Sequence, residues 1–108
     1  MTEKFRMLIY QEALPAGSRL PSVRQLAMEL SINPNTIQRA YAELEQEGLI
    51  YPVKGKGNFV AESGQILKIK KEDYHKEFMR TVRKGQELGV QMEEMVQVIN
   101  ACYEEEDQ

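Results

Sequence analysis

Apolar residues recur along the first half of the chain with a period that is helical, then strand-like. Phe5, Leu8, Ile9 and Ala13 repeat at helical spacing and predict a first helix over residues 3 to 13, which Pro15 and Gly17 stop. Val23, Leu26, Ala27 and Leu30 form the inward stripe of a second helix ending near Ser31. Ser22 is placed to cap it, and Gln25 three residues on completes a capping-box pattern. Asn33 caps a third helix with Pro34 at its first position, where a missing N–H costs nothing. Ile37, Ala40, Tyr41 and Leu44 line one face of it until Gly48 supplies a left-handed stop. Only about two residues separate the second helix from the third, and so short a turn makes them cross steeply, as in a helix-turn-helix.

The pattern then changes. Leu49-Ile50-Tyr51 and Asn58-Phe59-Val60 are apolar and β-prone, and they flank a basic tip, Lys54-Gly55-Lys56-Gly57, which predicts a β-hairpin. Helices followed by this hairpin make a winged helix-turn-helix domain over residues 1 to 63. After Ser63-Gly64 a charged helix is expected over residues 71 to 88, interrupted at Gly89, and another over 91 to 105. Met92, Met95, Val96, Ile99, Cys102 and Tyr103 form a clean amphipathic stripe on the last helix, and Tyr74, Phe78 and Val82 a weaker one on its predecessor. Such a stripe is too apolar to leave exposed on a small monomer, so residues 64 to 108 are expected to be a two-helix dimerisation segment with these nine residues at the interface. Glu104-Glu105-Glu106-Asp107 reads as a frayed acidic tail. The expected fold class is mainly α with a small β-hairpin.

Composition narrows the function. At 108 residues the chain has no room for a catalytic domain beside this module, and it shows no nucleophile–base pair, metal-ligand cluster or phosphate loop. No enzyme activity, cofactor or metal is therefore expected. A single cysteine, Cys102, excludes an internal disulfide and suits a reducing compartment. No apolar run approaches the roughly 18 residues that span a bilayer, and the first residues do not read as a signal peptide, so a cytoplasmic protein with no membrane partner is expected. The net charge of −3 opposes DNA binding at first sight. Its distribution does not: residues 1 to 60 carry 7 Lys and Arg against 6 Asp and Glu, whereas residues 61 to 108 carry 7 against 11. Local sign decides a contact surface.

The side chains of the third helix that point away from its core stripe near its N-terminus are Asn35, Thr36, Gln38 and Arg39, the positions from which a recognition helix reads the major groove. Asn and Gln can bond adenine at N6 and N7, and Thr can meet a phosphate or a thymine methyl. Arg24 on the preceding helix can reach phosphate or guanine; Ser22 stands at an anion-binding helix N-terminus, and Asn33 serves as a cap and as a DNA contact. Lys54, Gly55, Lys56 and Gly57 form a tip able to lie along the minor groove or its phosphates.

Leu20-Pro21-Ser22-Val23-Arg24-Gln25-Leu26-Ala27, Asn33-Pro34-Asn35-Thr36-Ile37-Gln38-Arg39-Ala40-Tyr41, Leu44, Gly48-Leu49-Ile50 and Gly55-Lys56-Gly57-Asn58-Phe59-Val60 together resemble the GntR family of bacterial transcription regulators, over residues 1 to 62. The short two-helix tail resembles the YtrA subfamily. The resemblance implies DNA contacts for Ser22, Arg24, Asn35, Thr36, Gln38 and Arg39, a wing that enters the minor groove around Lys54 and Gly55, and C-terminal helices that dimerise. It also implies repression of an operon, commonly one encoding an ABC transporter. The expected partners are thus a double-stranded, near-palindromic DNA operator and a second copy of the chain; no effector is assigned. The net acidity supports an alternative, a protein-interaction adaptor that keeps the winged fold.

Overall fold

The structure, a computed structural model, describes residues 1–106; Asp107, the end of the acidic tail, lies outside the described residues. The elements run α1 (Thr2–Tyr10), α2 (Val23–Leu30), α3 (Pro34–Glu47), β1 (Ile50–Val53), β2 (Gly57–Val60), α4 (Ser63–Glu87) and α5 (Met92–Glu106). The chain divides into two compact units, Met1–Lys71 and Glu72–Gln108.

In the first unit α2 and α3 are capped as their sequence requires. The Ser22 hydroxyl accepts from the Gln25 N–H at 3.0 Å, and the Asn33 side-chain Oδ1 accepts from the Asn35 N–H at 2.9 Å. Both helices end in paired bonds around a left-handed residue. At Gly48 (φ 84°) the Gly48 N–H donates to Glu45 O and the Leu49 N–H to Leu44 O. The same pattern at Ser31 (φ 53°) is made without glycine, with Ile32 N–H reaching Ala27 O at 3.1 Å. This left-handed turn directs the chain from α2 into α3.

Ile9, Leu20, Leu26, Ala27, Ile37, Ala40, Tyr41, Leu44, Leu49, Ile50, Val60, Ala61, Ile66 and Ile69 are buried and hold the unit together. The antiparallel hairpin pairs Ile50 with Val60 and Val53 with Gly57, so Gly57 lies in β2 and the turn proper is Lys54-Gly55-Lys56. Gly55 (φ 79°) sits at the third position of that turn, which the Lys56 N–H closes onto Val53 O at 2.9 Å, as a type II turn requires. On the other side of β2 Arg19 forms an isolated antiparallel bridge with Phe59. Pro52 lies on β1, which is thereby an edge strand, where a missing N–H is tolerated.

Four expectations are corrected. α1 stops at Tyr10, not at residue 13, because Glu12 turns left-handed (φ 63°) and brings Leu14 rather than Ala13 against the core. Leu30, the last residue of α2, is exposed, and the core position beyond the Ser31 turn goes to Ile32. α4 begins at Ser63, eight residues before the expected start, because Ile66 and Ile69 bury one face of its first turns in the first unit. Ile69 Cδ1 and Gln65 Nε2 come within 3.4 and 3.0 Å of the Cβ position of Gly48, and Lys70 Nζ lies 5.5 Å from the centre of the Tyr10 ring. The first turns of α4 accordingly belong to the compact unit that ends at Lys71. Finally, residues 104 to 106 belong to α5 rather than to a frayed tail.

In the second unit α4 ends with Gly89 (φ 81°), its N–H donating to Gln86 O and that of Val90 to Gly85 O. Gly85 faces Met95 so closely that a Cβ there would lie 2.5 Å from the methionine methyl. The two helices pack through that gap.

Candidate nucleic-acid interface

The two halves of α3 differ in how the surrounding elements treat their polar side chains. In the later half, Glu43 accepts from the Thr2 hydroxyl, and Glu47 takes both Arg6 Nε and Arg6 Nη2 at 2.8 Å; Arg6 also pairs with Glu3. The Glu47 hydrogen bonds hold the Arg6 guanidinium above its ordinary pKa. Two acids in the later turns of α3, Glu43 and Glu47, are thus taken up by α1. In the first turns of α3 Asn35, Gln38 and Arg39 are exposed, and with Thr36 and Arg24 their side chains make no hydrogen bond or ion pair to other described residues.

The helix is held by its inner face. Tyr41 is buried; its ring meets Phe5 edge-on at 5.6 Å between centres, and its hydroxyl donates to Pro21 O at 2.8 Å. This bond ties α3 to the residue just ahead of the α2 cap. Burial pushes the Tyr41 hydroxyl up to about 12, so it stays a donor.

Ser22 and Asn33 are both engaged as caps and both exposed, so each can offer its helix N-terminus to an anion while capping. Lys54, Gly55, Lys56 and Gly57 are exposed at the end of the hairpin. These residues all belong to the first unit. The nine residues expected at a dimer interface all belong to the second. Of those, Tyr74, Phe78, Met92, Val96, Ile99, Cys102 and Tyr103 are exposed, and Met95 and Val82 are half-buried. Tyr74 and Phe78 stack at 6.0 Å. Phe78, Val82, Met95 and Ile99, joined by Val98, line an open apolar cavity of about 320 Å³.

Sequence reasoning passed over two arginines of the first unit. Arg6 was hidden in the first helix, and its pairing with Glu47 joins residues 41 positions apart, which no local pattern reveals. Arg19 is bridged to β2 at Phe59; its sequence signal is its place beside the inward-facing Leu20.

Residues 2–60 match the family model of bacterial regulatory proteins, gntR family. The chain is 40% identical over 101 residues to the HTH-type transcriptional regulator YhcF of Bacillus subtilis (strain 168), covering 93% of this chain and 83% of that protein. To the HTH-type transcriptional repressor YtrA of the same organism it is 38% identical over 63 residues, 58% of this chain and 48% of that one. A solved structure of a GntR family transcriptional regulator from Listeria monocytogenes superposes with a TM-score of 0.73 at 32% identity, over 93% of this chain and 89% of that one. These relatives are transcription regulators and not enzymes, and the matched residues hold the entire helix-turn-helix and wing. With that DNA-binding module and YtrA-type proteins among its relatives, the chain belongs to the GntR family of bacterial transcription regulators.

Proposed function

We propose that the protein is a homodimeric, cytoplasmic repressor that reads a near-palindromic operator, one wing domain on each half-site. The observation that carries this reading is the exposed, unpartnered face of Asn35, Gln38 and Arg39 at the start of α3, while the acids Glu43 and Glu47 of its later turns are held by α1. Its amides suit adenine, and Arg24, Arg39, Lys54 and Lys56 supply position on the phosphates. Repression is supported by the likeness to the repressor YtrA, and an operon encoding an ABC transporter is the target the YtrA resemblance points to. The second unit supports the dimer: Phe78, Val96 and Ile99 are exposed at 40%, 43% and 39%, and a partner's helices would cover them.

Sequencing the DNA fragments that the protein retains from its own genome tests the reading directly, giving operator, spacing and target genes together. Gln38→Ala is expected to cost ~1–3 kcal/mol in operator affinity and to relax preference at one base pair; an equal loss on every sequence contradicts base readout. Met95→Asp with Ile99→Asp is expected to convert a sedimenting dimer into a monomer, and a wild-type chain that sediments as a monomer when dilute rules the dimer out. The adaptor reading rests on the acidic balance of residues 61 to 108, and a sequence-specific gel shift excludes it.

A further inference from the structure

Arg19 belongs neither to the recognition helix nor to the hairpin, yet the sheet brings it to the wing. Its backbone pairs with Phe59, and the flanking bonds, Leu20 N–H to Asn58 O and Val60 N–H to Ser18 O, are both 2.8 Å. Arg19 and Phe59 are therefore a non-hydrogen-bonded antiparallel pair, the kind whose side chains approach most closely. Leu20 is buried at 3% exposure, so strand alternation sends Arg19 to the outer face. The diagonal neighbour across that pair is Gly57, and the guanidinium lies against it: Nε, Cζ and Nη2 stand 3.3, 3.8 and 3.6 Å from where a Cβ at 57 would be. A side chain at 57 would crowd the arginine, so glycine serves there both for its positive φ of 107° and for the space it leaves.

No described residue neutralises this arginine. It is exposed and makes no side-chain hydrogen bond or ion pair with other described residues, in contrast to Arg6. Residues 13 to 28 and 48 to 61 contain no Asp or Glu, and between them they hold Arg19, Arg24, Lys54 and Lys56. A guanidinium is a rigid, planar donor suited to bidentate phosphate contact, and a fixed one loses less freedom on binding than a lysine at a turn.

We propose that Arg19 is a DNA-binding residue of the wing, taking a backbone phosphate beside the minor groove while the Lys54-Gly55-Lys56 tip approaches that groove; this rests on the DNA reading proposed above. The test compares the full chain with Arg19→Gln and Arg19→Lys on a poly(dA·dT) duplex, by fluorescence anisotropy over a series of salt concentrations. Loss of one phosphate contact lowers the slope of log K against log[salt] by about 0.9. Arg19→Gln is expected to show that reduction, and Arg19→Lys, which keeps the charge and an aliphatic stem, is expected to retain most of the wild-type slope. If the wild type binds and Arg19→Gln reproduces its slope, Arg19 makes no such contact, whether or not its affinity falls for another reason. If the wild type fails to bind the duplex at any salt concentration, the DNA reading itself fails and the Arg19 contact with it.

Discussion

The two units differ in how they treat their apolar side chains. Every buried residue among those described lies between Ile9 and Ile69, in the first unit; the second has none. The first unit satisfies itself, with capped helices, a closed core and a paired sheet. The second offers aromatic and aliphatic side chains to its surroundings, including Tyr74, Phe78, Val98 and Tyr103. The contrast is between a unit with a buried core of its own and one that leaves its apolar side chains exposed, the arrangement on which the proposed dimer rests.

The comparison is broken most severely at the core. Ile37→Ala is expected to destabilise the chain by ~2–5 kcal/mol in urea denaturation, since Ile37 is fully buried. Val98→Ala, at a dilution where the chain is monomeric, should change it by less than ~0.5 kcal/mol, since Val98 is 60% exposed. Equal losses at the two sites would abolish the distinction. A smaller effect sharpens the account of how α3 is held. With its hydroxyl at about 12 in the folded chain, Tyr41 stays protonated there over a range where the unfolded chain, with an ordinary tyrosine near 10, has released its proton. Its contribution is therefore complete below pH ~10 and lost as pH rises from ~10 to ~12, a decline of roughly 1–3 kcal/mol. Tyr41→Phe should flatten that part of the stability–pH curve while costing ~1 kcal/mol at neutral pH for the lost bond to Pro21. The smallest effect is a gain. Ser31→Gly relieves a left-handed residue at the α2–α3 turn and should raise stability by ~0.5–1 kcal/mol in thermal unfolding.

Much of the first unit was legible because its signals are local. Caps at Ser22 and Asn33, the stop at Gly48 and the basic turn at Lys54-Gly55-Lys56 each depend on a few adjacent residues, and each stands where the sequence places it. The exposed positions on α3 follow from its inward stripe in the same way. Less legible were the ends of elements whose fate depends on remote burial. Ser63-Gly64 looks like a linker, yet Ile66 and Ile69 find the core beside Gly48 and hold those residues in a helix. Ala13 and Leu30 fit helical stripes but lose their places to Leu14 and Ile32 once the chain turns left-handed beside each.

By itself, then, the sequence determined the order of elements, the exposed positions at the start of α3 and the family, because periodicity, capping and turn chemistry act over one or two turns of chain. Only the tertiary structure decided which acids of α3 are withdrawn by α1, where α4 begins, and that Arg19 joins the wing. Those outcomes depend on pairing between residues tens of positions apart, where the energy comes from burial and complementary charge and not from any local preference.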